Sequence, residues 1–435
     1  MQCFSRTVSS IFITLICLTT FSWRAAAQEN GEYIAIRKEG SGNIALVLNK
    51  LDARGQGNAG AQRLDTIIRD GLDFTGIFSL ISPPLNIKNN SDGEHAVINF
   101  GVLDSVAAEV YAGGTLTTKS TTLNLDMEVY DVSGAKLLFK KTYRGKDPRA
   151  LGYAFCADLV EFLTGKRSIF GSKIVFISTK TGYKEIYECD FDGRGVEQLT
   201  SSHSITLTPA LSPDGRYLAY TDFISGAPVL SIRNLLDKKT VAVARSGVGI
   251  DPGWRSSSEV ATTLSFEGDQ EIYLIKTNGV ISSRLTNSPG IDISPTFSPD
   301  GSQMAYVSAR NGQPQIFIQD MHSGQARRLT FSGNYNTQPS WSPAENKIAF
   351  TMWENGGELN IFVINVDGSG LVKLTGNSGN NESPSWSPDG QMIVFASSRQ
   401  GQKRLYTMNV TGKNQKQLLS MEGEQMQPFW SLFRK

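Results

Sequence analysis

Residues able to carry chemistry are scarce in this chain. Among 435 residues there are three histidines, His95, His203 and His322, and four cysteines. Each histidine lies among Ser, Asp or Gly and reads as a loop or surface imidazole. Cys3 and Cys17 fall in residues 1–27, and the remaining pair, Cys156 and Cys189, is too small a set for a structural zinc site. No G-x-S-x-G elbow, H-E-x-x-H helix, C-x-x-C pair or Gly-rich phosphate loop occurs, so nucleophile-elbow hydrolases, zincins and P-loop enzymes are excluded. Charge of one sign is missing too. Residues 1–27 hold Arg6 and Arg24 and no carboxylate, and without them the basic and acidic residues balance to within one. That balance gives no footing for nucleic acid or for a polybasic membrane patch. Long apolar runs are absent beyond residues 8–21, which are too short to span a bilayer.

That short run, preceded by Arg6 and followed by Ala25, Ala26 and Ala27, has the layout of a secretory signal peptide over residues 1–27. An oxidising compartment permits a disulfide. Cys156 falls in a helical pattern and Cys189 in a strand pattern, which favours two buried thiols.

What the chain has in abundance is a repeat. The stretch F-S-P-D-G at Phe297 to Gly301 returns in near-copies that begin at Leu211, Trp254, Phe297, Trp341, Trp386 and Trp430, spaced by 43, 43, 44, 45 and 44 residues. Ile174, Leu218, Val260, Met304, Ile348 and Ile393 keep the same step and each opens a short apolar run; Ile186, Leu230, Ile272, Ile316, Ile361 and Leu405 open the next. Runs of four to six residues separated by turns are strands. In S-P-D-G, Pro presets φ for the second position of a type I turn and Gly suits the fourth. Units of this length with four short strands are β-propeller blades, which bury their faces by stacking on neighbours. Six units predict six blades. Residues 173–200 supply three strands with no aromatic strand before them, and residues 428–433 supply such a strand alone, so the two ends of the repeat complete one blade and cover an otherwise exposed edge. The recurring D-G pairs, including Asp190 and Asp192 in D-F-D-G, are read as tight turns rather than calcium ligands, and the aromatic column Tyr187, Tyr273, Phe317, Phe362 and Tyr406 as blade core.

Residues 28–171 lack the repeat and mix periods. Residues 32–37 and 43–49 read as strands. Ala61, Leu64, Ile67, Ile68 and Leu72 recur at helical spacing. Three further strands span about 110–118, 122–130 and 135–143, and a helix starts at Pro148 with Leu151, Phe155, Leu159 and Phe162 on one face and Gly165 at its end. The reading is a β-dominated two-domain protein: a small N-terminal α/β domain over 28–171, then a six-bladed β-propeller over 172–435 closed by its C-terminal strand.

A signal segment, an α/β domain ending in Leu163-Thr164-Gly165, and a propeller with S-P-D-G turns and L-T blade ends at Leu199-Thr200, Leu285-Thr286, Leu329-Thr330 and Leu374-Thr375 together resemble the TolB family of the Tol-Pal system. Copies at Trp254 (W-R-S-S-S), Trp341 (W-S-P-A-E) and Trp430 (W-S-L-F) depart from the turn motif. The resemblance implies a periplasmic protein, not an enzyme and without cofactor or metal, that supports outer-membrane integrity and constriction during cell division. It further implies binding of the lipoprotein Pal at the channel mouth, through positions matching Thr206, Leu207, Asp251, Asp292, Ile293, Asn336, Thr337, Asn381, Glu382, Gln425 and Met426. Binding of TolA is implied through Glu32, Tyr33, Ile34, Ala35, Ile36 and Arg37, with other outer-membrane proteins as further partners.

From the residues alone, each blade entry carries a polar residue before a Pro: Thr208, Asp251, Ser294, Gln338, Ser383 and Gln427. Pro removes a backbone donor and stiffens the entry, which suits a rigid rim of surface loops that grips another protein. On this reading Asn336, Thr337, Asn381 and Glu382 are surface positions, with Glu382 and Asp292 forming an acidic arc. Two alternatives stand beside the adaptor. A sugar- or metal-binding enzyme of the channel needs convergent acids or histidines at equivalent blade positions, and a propeller-gated peptidase needs a hydrolase domain.

Overall fold

A computed structural model describes residues 43–431 apart from 55–57, 90–96, 244–249, 267 and 355–356. The signal segment, the residues matched to TolA binding, and His95 lie outside the described residues.

The repeat forms six antiparallel four-stranded sheets. Blades one to five begin with the innermost strands Thr206–Leu211, Ile250–Ser256, Asp292–Phe297, Tyr335–Trp341 and Asn381–Trp386. The sixth is composite: Lys173–Ser178, Glu185–Asp190 and Glu197–Gln198 are joined by Gln425–Trp430 from the far end of the repeat. Ile174, Leu218, Val260, Met304, Ile348 and Ile393 are all fully buried, as their common apolar step requires. In the S-P-D-G turns the Gly N–H donates to the Ser carbonyl at 2.8 Å for Gly215 and Gly301, with φ of +68° at both, a region that glycine enters without steric cost. The Trp341 copy keeps the turn without Asp or Gly, because Ser342 Oγ accepts the N–H groups of Ala344 and Glu345. In the Trp430 copy the turn is replaced by the closing contact itself: Ser431 N–H donates to Lys173 O at 2.8 Å, and Lys173 N–H to Ser431 Oγ at 2.9 Å.

The L-T pairs have a mechanical reason. Thr200, Thr286, Thr330 and Thr375 each accept the N–H of Ile186, Ile272, Ile316 or Ile361 on the third strand, at 2.8–2.9 Å. Each hydroxyl then donates to a buried side-chain oxygen at the start of that strand, of Glu185, Glu271, Gln315 or Asn360. The latch ties the outer strand of a blade inward where the chain crosses to the next, satisfying polar groups that would otherwise be buried alone.

Ahead of the ring, β1 (Ile44–Leu48), β2 (Asp52–Arg54), α1 (Asn58–Thr75), β3 (Phe78–Ile81), β4 (Lys88–Asn89), β5 (Val97–Ile98), α2 (Phe100–Ser105), β6 (Val110–Lys119), β7 (Thr122–Asp131), β8 (Lys136–Gly145) and α3 (Pro148–Thr164) follow in order. The main sheet runs β3-β1-β6-β7-β8, parallel at β3-β1-β6 and antiparallel beyond. The five apolar residues expected to face inward from α1 do so, none more than 7% exposed. Asp147 caps α3, Pro148 opens it, and Gly165 closes it with φ +65°. On α3 the expected face needs one correction: Phe162 is exposed and Leu163 is buried, because the stripe swings to meet Tyr153, Cys156 and Val160. Both remaining cysteines are buried free thiols. The first domain packs on the sixth blade through one continuous core. Tyr153 and Phe170 each meet Phe191 at 5.0 Å between ring centroids.

Candidate docking face and channel

Every innermost strand carries the same irregularity. Its ladder to the second strand slips between the residue two before Pro and the residue after Pro, in all six blades. Proline has no N–H to give the ladder, so it is tolerated at a bulge. The residue before each Pro is in the left-handed region: Thr208, Asp251, Ser294, Gln338, Ser383 and Gln427 have φ between +49° and +55°. Six non-glycine residues in that region are costly, on the order of 1 kcal/mol or more each, and stay there because the surroundings hold them. The bulge brings all six to one recess of about 330 Å³ at the channel mouth, together with Pro209, Pro252, Pro295, Pro339, Pro384 and Pro428.

The six interact in pairs. Gln427 Oε1 accepts the Thr208 N–H at 2.9 Å, Gln338 Oε1 accepts the Ser383 N–H at 2.9 Å, and Ser294 Oγ donates to Asp251 Oδ2 at 2.6 Å. A long acceptor on one blade thus meets a small hydroxyl residue on the next, and the column alternates accordingly. Burial raises the pKa of Asp251 above its ordinary 3.8, against the hydrogen bond from Ser294. A carboxyl whose folded pKa is raised favours the fold fully below its unfolded pKa, and that contribution is lost as pH rises through the folded value. Asp251→Asn should therefore raise the melting temperature at pH 7, with the gap closing as the pH falls below about 3.8. A gap that persists at pH 3 by calorimetry would contradict this account.

The residues matched to Pal binding separate into two sets. Thr206, Asp292, Asn336, Asn381 and Gln425 are fully buried and Met426 nearly so. Leu207, Asp251, Ile293, Thr337 and Glu382 are partly open. Strand side chains alternate, so in these five blades the residue three before Pro points into the seam between blades. Asn336 Nδ2 donates to Gln315 Oε1 and Ser332 O, both at 2.8 Å, and Thr206 Oγ1 donates to Lys184 O at 2.8 Å. Asn336 and Asn381 are therefore not the surface positions their polarity suggested. Nor is there an open acidic arc: Asp292 pairs with Arg310 at 3.1 Å and Glu382 with Lys403.

The same end of the ring shows what polarity did not reveal, a crown of exposed apolar side chains on the crossing loops and hairpins. Phe331 is 75%, Ile224 65% and Trp353 47% exposed, and Phe266, Ile291 and Tyr335 join them on blades two to four. Tyr183 and Ile205 continue the crown on the sixth blade, where exposed His203 stands edge-on to Tyr183 at 5.4 Å. Large residues inside Gly- and Ser-rich loops were the available signal. At the opposite end lies a second recess of about 530 Å³, lined by the turn prolines Pro213, Pro299, Pro343 and Pro388 and by Arg167 beside the first domain. The D-F-D-G turn there does more than turn. Asp190 accepts from Arg149 at 3.1 Å, and Asp192 accepts from the Tyr153 hydroxyl at 2.5 Å.

Residues 32–138 match the model of the TolB amino-terminal domain and residues 160–434 that of the TolB beta propeller domain. The chain belongs to the TolB family. It is 57% identical to a Protein TolB homolog of Chlorobium luteolum over 98% of both chains. It is also 44% identical to a Tol-Pal system protein TolB of Desulfosudis oleivorans over 53% of this chain and 54% of that one. The crystal structure of TolB from Acinetobacter baumannii superposes with a TM-score of 0.77 at 23% identity, covering 90% of this chain and 97% of that chain, which supports the same fold. Among the described residues of this TolB-family chain, no helix is long and apolar enough to cross a membrane.

Proposed function

We propose that the crowned mouth is a protein-docking face and that the chain is a periplasmic adaptor of the Tol-Pal system. It engages the peptidoglycan-associated lipoprotein Pal at that mouth and TolA through Glu32, Tyr33, Ile34, Ala35, Ile36 and Arg37, supporting outer-membrane integrity and constriction during division. The observation that carries the reading is the concentration of exposed aromatic and branched side chains on the one end of the ring that the first domain leaves open. Scattered apolar residues are ordinary on a surface, whereas a contiguous rigid set marks an interaction site. Leu207, Ile293, Thr337 and Glu382 then face the partner directly, while the buried residue just before each of them holds it in place.

Aromatic anchors dominate interface energy. Combined Phe331→Ala and Trp353→Ala replacement is expected to weaken Pal binding by about 2–4 kcal/mol in calorimetry, with little change in melting temperature. Equal affinity for this variant and the native protein would move the site elsewhere. Deleting residues 28–37 is expected to abolish TolA binding and spare Pal; loss of both would mean that the segment only supports the fold.

A further inference from the structure

Blade five contributes no large exposed apolar residue to the crown. What its outer hairpin offers instead is charge. The strands Met392–Gln400 and Gln402–Asn409 carry Arg399, Lys403 and Arg404 around the turn at Gly401, on the crown-bearing end.

Blades three and five build the same arginine cage. Arg310 Nε donates to Ser308 Oγ at 2.8 Å, its guanidinium lies 4.7 Å from the Phe317 ring, and Nη2 reaches Asp292 Oδ2 at 3.1 Å. Arg399 Nε donates to Ser397 Oγ at 2.9 Å, its guanidinium lies 4.3 Å from the Tyr406 ring, and Nη2 reaches Asn381 Oδ1 at 3.1 Å. The hydroxyl, the ring and the first residue of the innermost strand coincide. Two acceptors differ: the carboxylate of Asp292 is an amide in Asn381, and the Tyr306 hydroxyl that accepts from Arg310 Nη2 at 2.7 Å is replaced by the bare ring of Phe395. Gln415 Oε1 supplies the remaining contact to Nη2 at 2.8 Å, so every acceptor around Arg399 is neutral, and Nη1 makes no hydrogen bond among the described residues. Burial lowers the pKa of Arg399, with no carboxylate to offset it. A partly desolvated cation without a counter-ion is costly, and the ring faces compensate only in part.

Arg404 is a second departure on the same hairpin. It stands opposite Ser397, the register position that holds Glu185, Glu271, Gln315 and Asn360 in the threonine latches of other blades. Blade five has Leu419 where those blades have Thr, and the acceptor has become a cation. Arg404 donates to Gly423 O, Lys403 O and Gln402 Oε1, again all neutral. Of the neighbouring acids, Glu382 is taken by Lys403, and Glu424 accepts the Lys403 N–H at 3.3 Å.

We infer that the blade-five hairpin is a carboxylate receptor at the edge of the docking face, in which Arg399, helped by Arg404, takes an Asp or Glu side chain of the docked partner. The Arg310–Asp292 pair is the internally completed version of the same cage. The inference rests on the docking reading and adds the chemistry and orientation of the partner: an apolar patch over blades one to four and six and an acidic side chain over blade five. Arginine suits the role because its planar fork matches a carboxylate.

Two measurements on the full chain separate this inference from the reading it rests on. In the first, 15N-labelled protein is titrated with an acetylated tri-glutamate peptide and the arginine Nε–Hε resonances are followed. Arg399 should shift saturably and Arg310 should not, and the response should vanish in Arg399→Gln and at 0.5 M salt. Absence of any Arg399 shift, or equal shifts at both arginines, overturns the inference whatever binds the mouth. In the second, soluble Pal is titrated against native, Arg399→Gln and Arg399→Lys proteins. Arg399→Gln should lose about ten-fold in affinity with a shallower salt dependence and an unchanged melting temperature, and Arg399→Lys should recover part of both. Undiminished binding by Arg399→Gln overturns the inference and leaves the docking reading intact. Failure of the native protein to bind Pal removes the docking reading, and the peptide result then decides the receptor alone.

Discussion

Trp430→Ala is expected to lower the unfolding free energy by about 3–5 kcal/mol, the range for a large aromatic removed from a core that cannot collapse around the gap. Trp430 is 2% exposed and closes the shared blade opposite Ile174. Its indole N–H donates to Ser172 Oγ at 2.9 Å, and its backbone N–H to Ser385 Oγ of blade five at 2.9 Å. The side chain thus joins blade six to the approach from the first domain, while its backbone joins it to blade five. Trp430→Phe keeps most of the apolar volume and loses the indole donor, so it should cost clearly less. Urea unfolding followed by circular dichroism measures both. A loss under 1 kcal/mol for the alanine variant would mean that the ring does not depend on this closure.

Replacing Arg310 by Met should have a comparable effect for a different reason. Asp292 is fully buried, and Arg310 is its only ion-pair partner among the described residues. Removing one member of a buried pair leaves an uncompensated charge, which costs about 3–5 kcal/mol. Burial already raises the pKa of Asp292 against hydrogen bonds from Ser308 and Ser288 and the charge of Arg310. Without the arginine it rises further. A raised folded pKa means stability that is present below the unfolded value of about 3.8 and lost as pH rises. The variant should therefore approach the native protein's stability near pH 3.5 and fall away from it towards pH 7. Adding Asp292→Asn should restore part of the loss at pH 7, since the amide leaves no unpaired charge behind and Asn381 is fully buried at the same position of blade five. A pH-independent deficit in denaturant titrations would assign the effect to packing instead.

The ring was legible because its period is written in residues with one physical task each. An aromatic packs between blades, Ser-Pro-Asp-Gly turns the chain, and Leu-Thr ties it back. Closure followed from counting strands at both ends of the repeat. The seam was not legible. Asn336 finds its partner at Gln315, in the preceding blade, and nothing in an Asn-Thr-Gln-Pro string separates a residue clasped between sheets from one facing water. The αL kink before each proline also resets the direction of the chain, so side-chain facing cannot be counted back from the proline. The crown escaped for the opposite reason: Phe331 and Trp353 are residue types that usually signify core. In the first domain α2 was missed because six residues are too few to show a period, and its Asn99 cap becomes evident only with the Val102 N–H bonded to it at 3.3 Å.

The composite blade also sets an order of events in time. The contact between Lys173 and Ser431 joins positions 258 apart, among the most distant pairings the chain makes. On a chain made from its N-terminus, the first domain and three strands of blade six are available early, with Phe191 already able to pack on Tyr153 and Phe170. Their fourth strand arrives last. Contacts of such separation form slowly, because the loop must be closed before the contact rewards it. Until then Lys173–Ser178 presents a bare edge on one side of the ring and blade five an unstacked face on the other. The period before closure is when the chain is most exposed to wrong pairing, and it ends only when the final tryptophan docks.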